Sequence, residues 1–328
     1  MKMKLFAILA VISVLLIALA LQRQGDNRVE DLQSRSLLSE AQLELLGQVD
    51  RISLSKGTDR GVDLVREGDR WGVVSSDRFP AQPARIAALL HAMRGARVIE
   101  EQTDNPDYHA RLGLNVEQSE GSPLQVRLEH NGDVITLLFG NPVGSGQLVR
   151  FVGEDQVWLI NRPFGMSLNP REWLDLNVAR IPMESVAKAR WEHADGDVIE
   201  LEKASEGDYN LRLKGPDSAQ QQGNERWINS MVLALIGLNA QDVALRSDLQ
   251  LGEPSVQMQV MTWNGAELAA SLYDVSGRFW LIIDSFEQPV DGEFGVNADT
   301  RWAFQLGVAQ VEDLNKRRSD LIRSTEAE

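Results

Sequence analysis

The chain has 328 residues, 43% hydrophobic and 25% charged, and its 33 Lys and Arg against 48 Asp and Glu give a formal net charge of −15. That composition supports a globular body of one or two domains and excludes collagen-like and wholly disordered chains. The acidity repels phosphate backbones and speaks against a nucleic-acid partner. The absence of cysteine excludes disulfides, thiolate metal sites and a cysteine nucleophile.

Lys2 and Lys4 precede an apolar run over residues 5–21 in which Ser13 is the polar exception. As a helix that run is about 26 Å long, near the lower limit for a bilayer core. With the lysines held in the cytoplasm, the rest of the chain faces outward. The expectation is therefore a single N-terminal membrane span with the C-terminal body on the outer side of the membrane. The alternative is a cleaved signal peptide, with Ala18-Leu19-Ala20 as the small-residue site.

Residues 23–48 read as a polar tether ending in a short helix, with Ser39 as its N-cap. Strand-period alternation follows over residues 51–55, 62–66 and 71–74. Pro83 opens a helix with Ile86, Leu89, Leu90 and Met93 on one face, and a strand follows over residues 96–99. Residues 124–129 and 134–139 flank Asn131-Gly132, a strong hairpin signal because both turn positions take positive φ. Strands over residues 147–152 and 156–160 complete a meander, and Asn169-Pro170 opens a helix holding Trp173, Leu174 and Leu176.

The same order then repeats. Strands over residues 187–192, 198–203 and 209–213 precede a helix over residues 226–238, with Trp227, Met231, Leu235 and Leu238 on its apolar face. A strand over residues 243–246 follows. Residues 255–262 and 267–273 flank Asn264-Gly265, a strand over residues 278–283 comes next, and a helix over residues 300–314 carries Trp302. The expected class is α+β: an N-terminal transmembrane helix, then two tandem copies of an antiparallel-sheet-plus-helix module. The expected division is an anchor or uncleaved signal at 1–22, tether at 23–48, first module at 49–183, second module at 184–318 and tail at 319–328.

Several motifs bear on chemistry. The stretch Gly140-Asn141-Pro142-Val143-Gly144-Ser145-Gly146 lacks the lysine and following helix of a phosphate loop and reads as a hairpin. His91, His109, His130 and His193 have no metal-ligand spacing. Glu100-Glu101, Asp195 with Asp197, and Glu312-Asp313 are acidic clusters that numerous acidic residues produce without a site. No G-x-S-x-G elbow occurs. Lys316-Arg317-Arg318 and Arg323 suit a solvated helix end. The eight tryptophans default to core packing, with Trp263, beside its turn, the one expected to be exposed. No residue is put forward as catalytic, cofactor-binding or metal-ligating.

Gly68-Asp69-Arg70-Trp71, then Pro83 with Ile86, Leu89 and Leu90, resembles a bacterial family known as domain of unknown function 4340. Tyr108, Leu112-Gly113-Leu114, the Phe139-Gly140 strand end and Leu148-Val149-Arg150-Phe151 are similar to it as well. So is Trp173-Leu174-Asp175-Leu176 leading to Ile181-Pro182. The resemblance covers roughly residues 38–190, and the second copy more loosely. It implies a bacterial membrane-anchored protein found beside gliding-motility-type ABC transporters, which makes the expected location a single-pass inner-membrane protein with its C-terminal body in the periplasm. The function expected is a non-enzymatic extracytoplasmic accessory or scaffold subunit, with permease and ATPase as partners. The alternative is a periplasmic glycan- or lipid-binding envelope protein.

Overall fold

The computed structural model describes residues 35–57, 59–117, 121–215 and 224–322. In chain order the first strands are β1 (Arg35–Ser36), β2 (Arg51–Lys56), β3 (Asp59–Glu67), β4 (Arg70–Val73), β5 (Phe79–Pro80) and β6 (Arg97–Glu101). Next come β7 (Leu124–His130), β8 (Asp133–Val143), β9 (Gly146–Phe151), β10 (Trp158–Ile160), β11 (Ala179–Arg180), β12 (Val186–His193) and β13 (Val198–Glu202). The last are β14 (Arg212–Leu213), β15 (Asp242–Leu245), β16 (Val256–Thr262), β17 (Glu267–Val275), β18 (Arg278–Glu287), β19 (Gly295–Val296) and β20 (Trp302–Gln305). The described residues also hold five α-helices: α1 (Glu40–Gln48), α2 (Pro83–Arg94), α3 (Glu225–Ile236) and, after the last strand, α4 (Val308–Leu314) and α5 (Arg318–Leu321).

The strands form sheets in the orders β1-β6-β10-β9-β8-β7-β2-β3-β4-β5 and β14-β13-β12-β16-β17-β18-β20-β15, with β11 and β19 as a separate ladder. Read backwards, the second order runs β15-β20-β18-β17-β16-β12-β13-β14. Each of those strands holds the chain-order place that β6-β10-β9-β8-β7-β2-β3-β4 hold in the first. Compact packing divides the chain differently. One unit takes the chain up to Val49, then Leu54–Arg60 and Ala88–Met166; the other takes Asp50–Ser53, Gly61–Ala87 and Ser167 onward.

These findings correct the expected class. The described residues are mostly antiparallel β-sheet, 41% strand against 22% helix. Residues 302–305 are strand β20, not helix, because Trp302, Ala303 and Phe304 are buried in succession between β15 and β18. A continuous apolar run carries no period to tell the two apart. The helix expected after Asn169 is one 3₁₀ turn, Pro170–Trp173, which ends where Leu174 turns extended to bridge Ala81.

The membrane expectation is corrected too. Residues 5–21 lie outside the described residues, and no helix among the described residues is long and apolar enough to cross a membrane. The two longest, α2 and α3, have 12 residues each, or about 18 Å against a hydrocarbon core of about 30 Å. The transmembrane-helix, signal-anchor and single-pass inner-membrane assignments are accordingly not retained.

In the first unit, Ser39 and Gln42 form a reciprocal capping box that starts α1. Asn131 and Gly132 take φ of 50° and 95° in the β7–β8 turn, as an Asn-Gly hairpin requires. Leu114, Leu138, Leu148, Val157 and Leu159 form a buried cluster. The glycine-rich stretch is the β8–β9 hairpin, tied down where Asn141 Nδ2 donates to the Arg111 carbonyl and Asn141 N to the Leu112 carbonyl.

In the second unit, β12 alternates strictly from Ala187 onward: Ala189, Trp191 and His193 are buried, while Lys188 and Glu192 are exposed. Helix α3 turns Ile228, Met231, Val232 and Leu235 inward and leaves Trp227, expected on that face, 45% exposed. Phe79 is fully buried, edge-on to Trp302 at 5.1 Å and to Phe304 at 6.2 Å. Between them, Asp77 and Arg78 take left-handed φ of 52° and 61° just ahead of β5. Arg78 passes so close to β4 that a Cβ on Gly72 would stand 2.7 Å from its carbonyl oxygen.

The C-terminal segment is fastened to the β12–β13 turn. Arg317 pairs with Asp195 at 2.8 Å, the Arg318 amide donates to Asp197, and the His193 Nε2 hydrogen bonds to the Lys316 carbonyl at 3.0 Å. His193 is 2% exposed and its Nδ1 has no partner. Burial first, and the Arg317 charge second, push its pKa down, while the Lys316 carbonyl and the two aspartates oppose this more weakly.

Two predictions follow from this packing. The unfolded imidazole titrates near 6.5 and the folded one lower, so the unfolded state binds more protons between those values. The neutral His193 contribution is full above about pH 6.5 and declines as pH falls below it. Denaturant midpoints measured from about pH 8 to 5 should fall less steeply in His193→Gln than in the parent; equal slopes would contradict this. Gly72→Ala should lower stability by about 1–3 kcal/mol through the clash with Arg78. Gly47→Ala, in α1 with open space around it, should raise stability by about 0.5–1 kcal/mol. Urea denaturation of both variants checks the opposite signs.

Candidate functional site

The β3–β4 hairpin turns at Gly68-Asp69, where Gly68 takes φ of 61° and Glu67 pairs with Arg70. That turn places Asp69, Arg70 and Trp71 together at the end of β4. The Trp71 carbonyl accepts from the Ala81 amide at 2.7 Å, and the Pro80 carbonyl accepts from the Asp175 amide at 2.9 Å. Those bonds fix the 69–83 segment against residues 174–177. A third strip comes from the β11–β19 ladder, which pairs Ala179 with Val296 and Arg180 with Gly295 and is extended by Asn297 donating to the Val178 carbonyl.

The three strips enclose an open cleft of about 610 Å³, within the size range of small-molecule sites and wholly inside the second unit. Its titratable side chains are carboxylates and guanidiniums. Asp299 is neutralised by Arg301, whose Nε lies 3.0 and 3.1 Å from the two carboxylate oxygens and whose Nη2 lies 2.6 Å from one; Trp302 Nε1 also donates to it. The hydrogen bond from Arg301 is the main cause that holds the Asp299 carboxyl below the usual range. Asp69 lies 4.0 Å from Arg66, and Asp175 accepts from the Asn177 amide at 3.1 Å.

Arg70 and Arg180 are exposed, and neither has an ion-pair partner among the described residues. The outer face of β13, β12 and β16 shows the contrast. There Arg190 meets Glu192 at 2.9 Å and Glu200 at 3.0 Å, Lys214 meets Glu202 at 3.8 Å, and Lys188 stands opposite Glu202. That face is a self-neutralised solvated ladder. Arg70, Arg180 and the half-buried Trp71 all line the cleft.

Of the residues weighed in the sequence, His193, Asp195, Asp197, Lys316, Arg317 and Arg318 meet at the β12–β13 turn, away from the residues that line the cleft, and the others lie apart. His109 is buried and bonded to the Asp155 carbonyl, His130 lies beside Asn131, and His91 is on α2. No group of three or more His, Asp or Glu among the described residues could hold a metal ion. Glu101 meets Arg35 at 3.6 Å, and Asp313 accepts from Ser230 and Lys316. Trp263 is 39% exposed, while Trp173 and Trp191 are fully buried.

Sequence reasoning missed the cleft. Gly68-Asp69-Arg70-Trp71 signalled a family without a role, and residues 288–299 carried no pattern that pointed to the Trp71 region. No curated protein and no solved structure matches the chain. The model of one family, Domain of unknown function (DUF4340), matches residues 71–255. That match begins at Trp71, one residue into β4, runs through α2, β11 and Arg180, and spans more than half of the sequence. The chain belongs to the DUF4340 family.

Proposed function

We propose that this protein is a non-enzymatic binding protein that serves an ABC-type transport system as an accessory or scaffold subunit, with the Trp71 cleft as its ligand site. One observation supports the binding role: Arg70 and Arg180 line a cleft beside an indole ring without ion-pair partners, on a chain of net charge −15. On the β12–β13 face of the same unit, Arg190 is matched to Glu200 and Lys214 to Glu202 across strands. An unpaired guanidinium is a ready donor fork for an incoming anion.

The transport assignment, with permease and ATPase as partners, rests on what the family resemblance implies about bacterial gene neighbourhood. A second reading is a free-standing glycan- or lipid-binding protein. Trp71 favours it, because a half-buried indole in the cleft lining offers apolar contact to a ring or chain.

The two readings separate in a pull-down of the full-length chain from a mild detergent extract of its own cells. Co-purification of a permease and an ATPase, retained at moderate salt, is the expected outcome. Recovery of the chain without them would overturn the accessory role and leave the free-standing binder.

A further inference from the structure

We infer that the Trp71 cleft is built for an acidic oligosaccharide, about two uronate-type rings long; this rests on the cleft being the ligand site. Four features of the cleft converge on that class. The Arg70 and Arg180 guanidiniums carry two positive charges with no ion-pair partner among the described residues, and a guanidinium fork pairs with a carboxylate bidentately. Asp299 is already neutralised by Arg301, and Asp69 faces Arg66. Asp175 is therefore the cleft carboxylate without a cation of its own, and it is available to accept from ligand hydroxyls. Asn177 and Asn297 add amides that both donate and accept.

A ligand for this lining must bring carboxylate acceptors for the arginines, hydroxyl donors for Asp175, and an apolar face for the Trp71 ring. An acidic sugar has all three. A phosphate-rich ligand brings acceptors without donors and concentrates negative charge against Asp69 and Asp175, on a chain already at −15. A neutral sugar leaves both guanidiniums unsatisfied. The volume of about 610 Å³ takes a disaccharide and leaves room for ordered water.

The test is calorimetric titration of the full chain with digalacturonate, using neutral digalactose, inorganic phosphate and a Glu-Glu dipeptide as comparators. Arg70→Gln and Arg180→Gln are the informative variants, because both side chains are exposed and the substitutions should not disturb folding; circular dichroism confirms that they do not. Digalacturonate should bind, each variant should weaken it about tenfold or more, and the three comparators should bind at least tenfold more weakly. Equal binding of digalactose that is insensitive to the arginine variants would overturn the acidic class while keeping the cleft as a site. Equal binding of phosphate or the dipeptide would overturn the saccharide class. Failure of digalacturonate to bind would overturn the inference outright, whereas the transport role stands or falls on the pull-down with the unmodified chain.

Discussion

The burial of Phe79 is the constraint on which the cleft depends. Its ring is wholly removed from solvent against Trp302 and Phe304, residues more than two hundred positions later in the chain. Burying a ring of that size contributes about 2–3 kcal/mol by area alone, and the edge-on contacts add to it. To reach that pocket the chain adopts two successive left-handed residues, Asp77 and Arg78, at a cost of order 1 kcal/mol each or more. Gly72 makes room for the Arg78 backbone. With Phe79 seated, Pro80 and Ala81 meet Asp175 and Leu174, and Trp71 lies at the cleft beside them.

Trp302 connects the same aromatic cluster to the opposite wall. Its indole N–H donates to Asp299, which also holds Arg301. One aromatic contact therefore positions both the strip around Trp71 and the strip ending at Asp299. The charge pattern follows from that placement. Asp299 is neutralised by its own neighbour, so the arginines across the cleft are not drawn to it and remain available. A binding surface on an acidic chain needs such local compensation, because a uniform negative field would repel an anionic ligand before contact.

Local signals made much of the fold legible. The Ser39 cap, the α2 and α3 helices, the Asn131-Gly132 turn and the alternation of β12 each follow from neighbours within a few residues. The failures have a common physical origin. Trp302-Ala303-Phe304 is buried on all sides, so its periodicity vanishes and helix and strand read alike. Trp173 sits in a 3₁₀ turn because its chain must straighten at once to bridge Ala81, a partner far away in sequence. The cleft was illegible for the same reason: Arg70, Arg180 and Asn297 are unremarkable apart and acquire meaning when long-range pairing gathers them. The strand order shared by the two sheets was readable as a repeated pattern of strands and turns.

The most direct test is hydrogen exchange on Phe79→Ala, a substitution that removes about 3–5 kcal/mol of core packing. It reads the amides of Ala81, Asp175 and Asn297, which bond to Trp71, Pro80 and Val178 around the cleft. If Phe79 holds both walls, these amides lose protection together, while the β16–β17 ladder in the same unit keeps its own. Unchanged protection at Ala81, Asp175 and Asn297 would contradict the account, because the cleft would then be held by something other than the buried ring.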